Sequence, residues 1–326
     1  MSFLDIYGHE RQVTMLRKAI AQKRVGHAYL FSGINGSGKR TLAGQFATAL
    51  NCDSSDSLAD ACGKCSSCLK ARHASHADMI FIEADGQFIR INAIREIQER
   101  MKFKPLEGRW RSVIIDDADK MNDHAANALL KTLEEPSAFN ILILVSSRPY
   151  SLPATVLSRC RHMRFNPLPA NTVARFLAQQ KGMDEQRSAL LAGLSGGSIG
   201  KALELDAEDI AFFRAGLIQL VMNTTRNNPI SLLILASYFG QDKKKIKQGL
   251  DIISSCFRDA LVYKETRKQE MLINSDQCSY IDQLAQRLSG EQILQNIQRI
   301  AGAWETIELN VNKTLTLETM AFKLNW

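Results

Sequence analysis

The chain has 326 residues, of which 45% are hydrophobic and 23% are charged, the balance of a soluble globular protein with two or three domains. The segment MSFLDIYGHERQ lacks the basic start and apolar core of a signal peptide, and no apolar run approaches the ~18 residues of a membrane-spanning helix. We therefore expect a cytoplasmic protein with no membrane partner. The formal net charge of +7 suits work near a phosphate backbone, but it is spread over 41 basic and 34 acidic residues and does not by itself indicate direct DNA contact.

The first predicted strand leads into a glycine-rich loop. An apolar run at 27–32 ends at Gly33, and a helix-forming pattern begins after Lys39. The segment between them, GINGSGKR, matches the first seven positions of a phosphate-binding loop, in which backbone N–H groups turn toward a β-phosphate and a lysine adds charge. We predict that ATP or ADP would contact Gly33, Gly36, Gly38 and Lys39.

The eighth position of this loop departs from the consensus. A Ser or Thr hydroxyl should stand there and bind the Mg²⁺ that bridges the β- and γ-phosphates, but this chain has Arg40. Thr41 comes one residue late, and one helical residue rotates a side chain by ~100°. The sequence therefore predicts an incomplete metal site.

A polar insertion at about 52–68 follows, and it contains four of the seven cysteines: Cys52, Cys62, Cys65 and Cys68. In a reducing compartment this clustering indicates metal binding, and four thiolates are typical of a closed, structural zinc site. An iron–sulfur cluster is the alternative, although the Cys-Pro that completes the ferredoxin pattern is missing. We expect the nearby His73 and His76 on a surface turn rather than on the metal.

Three later apolar runs, at 79–84, 112–117 and 140–147, predict buried parallel strands. Asp116 stands where an outer-sphere Mg²⁺ ligand is expected, and Asp117 stands where an ATPase places a Glu that activates water. Asp117 is one methylene shorter, and a misplacement of ~1 Å can slow a positioned reaction by ~10²-fold. An ordinary strand-end loop is the alternative interpretation.

The strand pattern stops after Arg164. Short helical patterns near 171–181, 184–195 and 198–205 predict a small lid, and the chain is helical from there to its end. One C-terminal helix carries an apolar seam, which requires a partner in the same domain or in another subunit: Ile293, Ile297, Ile300, Trp304, Ile307 and Val311. We predict domains at 1–165, 166–207 and 208–326.

The segment ANALLKTLEEP at 126–136, followed by Leu152-Pro153 and Ser158-Arg159-Cys160, resembles the bacterial clamp-loader subunits gamma and delta-prime of DNA polymerase III. The resemblance covers nearly the whole chain. It implies an α/β fold, with an AAA+ P-loop parallel-sheet domain that carries a zinc insertion, a small helical lid and an all-α C-terminal collar domain. It also implies gamma or tau subunits, the delta subunit, the sliding clamp and primer-template DNA as partners.

The resemblance assigns roles to three further positions. From the residues alone, Arg159 either forms a salt bridge at the domain seam or reaches outward, and the resemblance implies an arginine finger given in trans to a neighbour's γ-phosphate. Ser147 stands at one of two further positions whose side chains contact the γ-phosphate in family members that hydrolyse ATP. Gly200 corresponds to another, where gamma-like subunits have Arg in a G-S-x-R pattern.

Arg40, Asp117 and Gly200 thus depart together from the pattern of ATP-hydrolysing members, whereas Arg159 is kept. We predict a ring member without intrinsic ATPase activity that helps to load the sliding clamp during DNA replication, with polymerase chemistry in another chain. Two alternatives remain: a gamma-like subunit that hydrolyses ATP, and a free-standing zinc-containing nucleotide-binding adaptor unrelated to replication.

Overall fold

The structure is a computed structural model in which the chain forms two compact units. The first contains Met1–Lys181 and Gly196–Lys201, and the second contains Gly182–Ser195 and Ala202–Trp326. The structure describes residues 2–54, 59–86, 88–205, 207–225, 227–309 and 311–326, with the side chains of 207–209 and 211 left out.

A five-stranded parallel sheet organises the first unit. Its strands are β1 (Ala28–Gly33), β2 (Met79–Ile82), β3 (Arg111–Ile115), β4 (Asn140–Ser146) and β5 (Arg161–Phe165). Their spatial order is β2-β3-β4-β1-β5, and all four pairings are parallel. The carboxyl ends of the strands therefore meet at one edge, which confirms the predicted α/β parallel-sheet fold.

Side chains from both faces of the sheet are buried, as expected for parallel strands covered by helices. In β1, Tyr29 and Phe31 join one core, while Ala28 and Leu30 join the other. The helices of the chain as far as residue 204 are α1 (Glu10–Ala21), α2 (Lys39–Leu50), α3 (Ser66–Arg72), α4 (Ile91–Met101), α5 (Asp123–Glu134), α6 (Ala154–Leu157), α7 (Ala170–Lys181), α8 (Glu185–Leu194) and α9 (Ile199–Glu204).

The strand β5 was missed by the sequence prediction. Its segment RHMRF is not a continuous apolar run, because only Met163 and Phe165 of this edge strand are buried. The three predicted lid helices correspond to α7, α8 and α9. However, α7 lies in the first compact unit and α8 in the second. The predicted division into 1–165, 166–207 and 208–326 stays a prediction, and residue 206 lies outside the described residues.

The rest of the second unit is helical. It contains α10 (Ala207–Asn223), α11 (Pro229–Tyr238), α12 (Lys243–Thr266), α13 (Cys278–Arg287), α14 (Gly290–Glu308) and α15 (Lys313–Lys323). Helix α14 packs against α12 and α15. No helix in the described part of the chain has both the length and the apolarity needed to cross a bilayer.

The predicted apolar seam belongs to the core of this unit. Ile293, Ile300 and Ile307 are buried on α14, so the seam finds its partners within its own domain. Val311 was wrongly placed on the same helix, because α14 ends at Glu308 and Val311 is exposed. The helical signal continued past this end because α15 begins only a few residues later.

Candidate functional site

The glycine loop connects β1 to α2 and has the backbone geometry of a phosphate cradle. Gly36 and Gly38 have φ of 69° and 96°, in the left-handed region that favours glycine. Lys39 is buried, and its ammonium donates to the carbonyls of Gly33 (2.8 Å) and Ile34 (2.6 Å). Burial lowers the pKa of Lys39 against the opposing effect of nearby carboxylates. The predicted cradle is thus assembled, with its lysine folded back onto the loop.

The guanidinium of Arg40 contacts two carboxylates at the carboxyl edge of the sheet. Its Nη1 donates to Asp116 Oδ2 over 3.0 Å, and its Nη2 pairs with Glu83. Its central carbon also lies 5.6 Å from the centre of the Phe81 ring. Burial acts to lower the pKa of Arg40, but Glu83 and Asp116 raise it overall. The carboxylate predicted to hold Mg²⁺ is therefore bound to the side chain that replaces the expected hydroxyl.

Asp117 follows β3 and pairs with a nearby lysine. Its backbone has φ 47° and ψ 48°, a left-handed conformation that is uncommon for a residue other than glycine. Its carboxylate lies 2.8 Å from the ammonium of Lys120. The hydrogen bond to Asp117 raises the pKa of Lys120. In this arrangement the carboxylate at the expected base position is neutralised by a neighbouring cation.

Ser147 follows β4 at the same sheet edge, and its backbone N–H donates to Asp119 Oδ1 over 3.1 Å. The Ser146 hydroxyl donates to the same oxygen over 2.6 Å. Burial acts to raise the pKa of Asp119, but these hydrogen bonds lower it overall. The sequence analysis missed Asp119, although its position just after β3 could have placed it at this edge.

The start of α9 and the residue before it contact the glycine loop. The Ser198 hydroxyl donates to the carbonyl of Asn35 over 2.7 Å, and the Gly200 N–H donates to the carbonyl of Gly36 over 2.8 Å. A Cβ on Gly200 would lie only 2.7 Å from the Cα of Gly36. A side chain at this position therefore requires the two backbones to separate.

Arg159 lies just after α6 and is partly exposed. Its Nη2 lies 2.8 Å from Glu134 Oε1 at the end of α5, and its Nη1 donates to the carbonyl of Thr155 over 3.0 Å. An exposed ion pair of this kind contributes only about 0–1 kcal/mol. The guanidinium could therefore exchange Glu134 for another anion at small cost, and its role as an arginine finger stays a prediction.

The four clustered cysteines come together as the spacing predicts. Their Sγ atoms all lie within 4.8 Å of one another, and those of Cys62 and Cys68 are 4.0 Å apart. A tetrahedral thiolate site with bonds of about 2.3 Å places its sulfurs about 3.8 Å apart. The cluster can therefore hold a metal ion of this kind after small adjustments. Residues 55–58 of the predicted insertion lie outside the described residues.

Backbone N–H groups in the cysteine cluster stabilise the thiolate form of Cys62. The N–H groups of Lys64 and Cys65 point at Cys62 Sγ, at 3.5 and 3.3 Å, and they lower the pKa of Cys62 to about 6. Gly63 has φ 70°, which allows the tight turn between these donors. Burial raises the pKa of Cys52 and of Cys68, as expected for metal-free thiols among apolar neighbours.

The expectation that His73 and His76 share a surface turn was wrong for His76. Its ring is buried, with Nε2 at 3.2 Å from Ser67 Oγ, and its Nδ1 accepts from the Asp78 N–H over 3.2 Å. His73 is exposed. Neither histidine belongs to the cysteine cluster. Short-range polarity suggested a surface turn, whereas the contact with Ser67 of α3 places the second ring in the interior.

Comparison with known proteins gives the family. The family model described as "DNA polymerase III, delta subunit" matches residues 8–169, and the one described as "DNA polymerase III, delta subunit, C terminal" matches residues 213–325. The delta-prime subunit of Bacillus subtilis DNA polymerase III is 28% identical over 318 residues, which are 96% of this chain and 95% of that protein. The gamma subunit of Buchnera aphidicola (Schizaphis graminum) is 31% identical over 78% of this chain and 71% of that protein.

Other relatives are longer than this chain. The tau/gamma subunit of Haemophilus influenzae is 35% identical over 64% of this chain but only 31% of its own length, and the match covers 38% of Bacillus subtilis tau. The chain therefore spans about a third of these relatives. Among solved structures, a gamma-subunit-related protein of Thermotoga maritima covers 95% of this chain and 98% of its own, at 18% identity and a TM-score of 0.44.

The parallel sheet, the glycine loop at its edge and the helical second unit define an AAA+-like P-loop protein. More specifically, the chain belongs to the family of DNA polymerase III clamp-loader subunits and is related to both the tau/gamma and the delta-prime subunits.

Proposed function

We propose that this chain is the delta-prime subunit of a DNA polymerase III clamp loader, a ring member that does not hydrolyse ATP and lends Arg159 to a neighbouring ATP site. The observation that carries the proposal is the contact of Arg40 with Asp116 and Glu83, where a nucleotide-bound Mg²⁺ would need oxygen ligands. The short side chain of Asp117, at a position where an ATPase places Glu, further supports the loss of hydrolysis.

The delta-prime assignment is supported by the extent of the sequence matches. The Bacillus subtilis delta-prime match runs over nearly the full length of both chains, whereas the tau/gamma matches end well inside the relatives. A gamma-like hydrolysing subunit is the second candidate, favoured by the intact loop around Gly36, Gly38 and Lys39 and by the higher percentage identity to gamma. The lost metal position weighs against it.

The proposed partners are gamma or tau subunits, the delta subunit, the sliding clamp and, through the complex, primer-template DNA. The proposed contribution of this chain is geometric: Arg159 carries a permanent charge on a planar fork of donors, which suits a γ-phosphate held by the next subunit. Its exposed position after α6 and its weak hold by Glu134 support this role.

We further propose that Cys52, Cys62, Cys65 and Cys68 bind one zinc ion. Four thiolates leave no open position on a tetrahedral ion, so the ion would brace the segment between α2 and α3 and would do no chemistry. The phosphate loop retains donors for a nucleotide's phosphates, so that ADP or ATP can still contact Lys39 and the loop N–H groups.

The role of Arg159 is tested in a clamp-loader complex reconstituted from gamma, delta and this chain. Arg159→Ala should leave assembly intact and lower the turnover of the adjacent gamma site by up to ~10³-fold. Glu134→Gln is the matched control, since it breaks the same ion pair but keeps the guanidinium, and it should leave turnover unchanged. If Arg159→Ala turned over ATP at the normal rate in an assembled complex, the proposal would be wrong.

A further inference from the structure

We propose that Arg40 is the resident cation of the phosphate-loop site: its guanidinium takes the place of Mg²⁺ between Asp116 and Glu83, so that the site accepts no divalent cation. This proposal deepens the non-hydrolysing role proposed above and rests on it. It concerns what replaces the metal, rather than only the loss of the hydroxyl ligand at position 40.

The first support is the position of the two carboxylates. Glu83 follows β2 and Asp116 follows β3, and these strands are parallel neighbours, so both side chains lie at the carboxyl edge beside the first turn of α2. Asp116 Oδ2 accepts from Arg40, and Asp116 Oδ1 accepts from the Asp117 N–H over 3.1 Å. Each Asp116 oxygen therefore already accepts one hydrogen bond, and Oδ2 accepts it from Arg40.

The second support is the way in which the guanidinium is held. Arg40 is the second residue of α2, so its backbone is fixed by the helix. Its planar group contacts a carboxylate on either side and lies near the Phe81 ring, so its positive charge lies between Glu83 and Asp116. These contacts, which come from different directions, fix the position of the Arg40 guanidinium.

The third support is the balance of charge. Asp117 is paired with Lys120, and Asp119 is held by Ser146 and Ser147, which leaves Glu83 and Asp116 for Arg40. A divalent ion at the same carboxylates would stand close to a permanent positive charge, which opposes its binding. With a neutral hydroxyl at position 40, the two carboxylates would lose their contact with the guanidinium and would form, with that hydroxyl, the oxygen-rich setting that Mg²⁺ prefers.

Binding of Mn²⁺ tests this directly, because Mn²⁺ is an oxygen-seeking substitute for Mg²⁺ whose free form is counted by electron paramagnetic resonance. We would titrate Mn²⁺ into the purified full chain, with zinc supplied during expression, in the presence and absence of ATP. Because ATP itself binds Mn²⁺, the Mn²⁺ bound by a protein-free solution of the same ATP is subtracted. The wild type should bind no Mn²⁺ at the loop. Arg40→Thr, which restores the consensus hydroxyl, should bind one equivalent with ATP, and Arg40→Lys, which keeps a charge, should bind none.

The melting temperature provides a second readout. Without metal, Arg40→Thr should melt below the wild type, because two carboxylates have lost their cation, and Mg²⁺ should raise its melting temperature but not that of the wild type. One bound equivalent of Mn²⁺ in the wild type would overturn the proposal. A folded Arg40→Thr protein that binds no Mn²⁺ and whose melting temperature does not change with Mg²⁺ would also overturn it. The same holds for an Arg40→Lys protein that binds Mn²⁺ as Arg40→Thr does.

These outcomes are separate from those of the Arg159 experiment. The Arg159 experiment measures turnover at a neighbour's site and does not depend on which cation this chain holds. A wild type that binds Mn²⁺ would refute the resident-cation proposal while the finger could still act, and normal turnover with Arg159→Ala would refute the finger while Arg40 could still exclude the metal.

Discussion

The backbone N–H of Gly200 donates a 2.8 Å hydrogen bond to the carbonyl of Gly36, so the start of α9 lies directly against the phosphate loop. The hydroxyl of Ser198 supports the same contact through the carbonyl of Asn35. Because neither glycine carries a Cβ, the two backbones approach more closely than any other pair of residues would permit. Glycine at position 200 therefore permits a tight packing of α9 against the loop.

Substitution of Gly200 should reveal this packing. Gly200→Ala places a Cβ 2.7 Å from the Cα of Gly36, and backbone has to move to make room. We expect the free energy of unfolding, measured by urea denaturation, to fall by about 1–3 kcal/mol, as in other overpacked sites. Gly44→Ala in α2 is the matched control, because its Cβ would meet only the Phe81 ring at 3.7 Å.

The control should be neutral or more stable by up to ~1 kcal/mol, since alanine favours a helix more than glycine does. Equal stability of the wild type and Gly200→Ala would show that the turn can separate from the loop without cost, and the tight packing would then not hold in solution.

Removal of the proposed zinc should destabilise the first unit. Purified protein should contain one equivalent of zinc, and a strong chelator or Cys65→Ser should lower the melting temperature, because a thiolate site contributes folding energy directly. The metal content would be measured by atomic emission alongside the melting curve. Acidification should release the ion as well, since protonated thiols are poor ligands.

Cys278→Ser is the control for this experiment. Cys278 lies at the start of α13 in the second unit, outside the cluster, and its substitution should leave the zinc content unchanged. A chain that keeps its melting temperature after complete chelation would lack a zinc brace, and iron in place of zinc would favour the cluster alternative.

A buried ion pair beside the cysteine segment predicts a pH dependence of stability. Asp78 is fully buried, and it accepts from Arg111 Nη2 over 3.1 Å and from the N–H groups of Leu106, Glu107 and Gly108 over 2.9 Å each. Burial acts to raise the pKa of Asp78, but these donors lower it overall. Asp78→Asn should cost about 3–5 kcal/mol at neutral pH, because it leaves a buried guanidinium uncompensated.

The sign of the pH effect follows from the lowered pKa. The carboxylate is more acidic in the folded chain than in the unfolded chain, so its contribution is complete above the unfolded pKa of about 4 and is lost as the pH falls below it toward the folded pKa. The difference in unfolding free energy between the wild type and Asp78→Asn should therefore shrink in acid. Loss of metal affects both proteins, so their difference isolates Asp78.

Glu96→Gln serves as the control for the ion pair, since Glu96 and Arg100 form an exposed pair on α4 that should contribute only about 0.3–0.5 kcal/mol. A difference between the wild type and Asp78→Asn that stayed constant down to the lowest accessible pH would contradict the lowered pKa.

Local patterns predicted the parts of the molecule whose structure is determined locally. The glycine loop lies between a strand and a helix because its residues specify that turn, and the C-x2-C spacing is enough to bring neighbouring thiols together. The strands β1 to β4 were also predicted, because each is a continuous apolar run within one short segment. The edge strand β5 escaped prediction, since only two of its side chains are buried.

Contacts between distant segments could not be predicted. Arg40 was identified as a misfit at its position, but its hydrogen bond to Asp116 joins residues 76 apart and depends on the order of the strands. The contact of Gly200 with Gly36 and the burial of His76 likewise arise from tertiary packing. In each case the sequence indicates the type of residue and the tertiary structure supplies its partner.

The most direct test of the non-hydrolysing role is ATP turnover by the purified chain with Mg²⁺, alone and then with the sliding clamp and primed DNA, against a Lys39→Ala control. The account predicts that turnover stays at the level of the control under all of these conditions, because Arg40 stands at the metal position and Asp117 is paired with Lys120. Turnover that depends on Lys39 and rises with clamp and DNA would contradict the account and would make this chain a hydrolysing, gamma-like subunit.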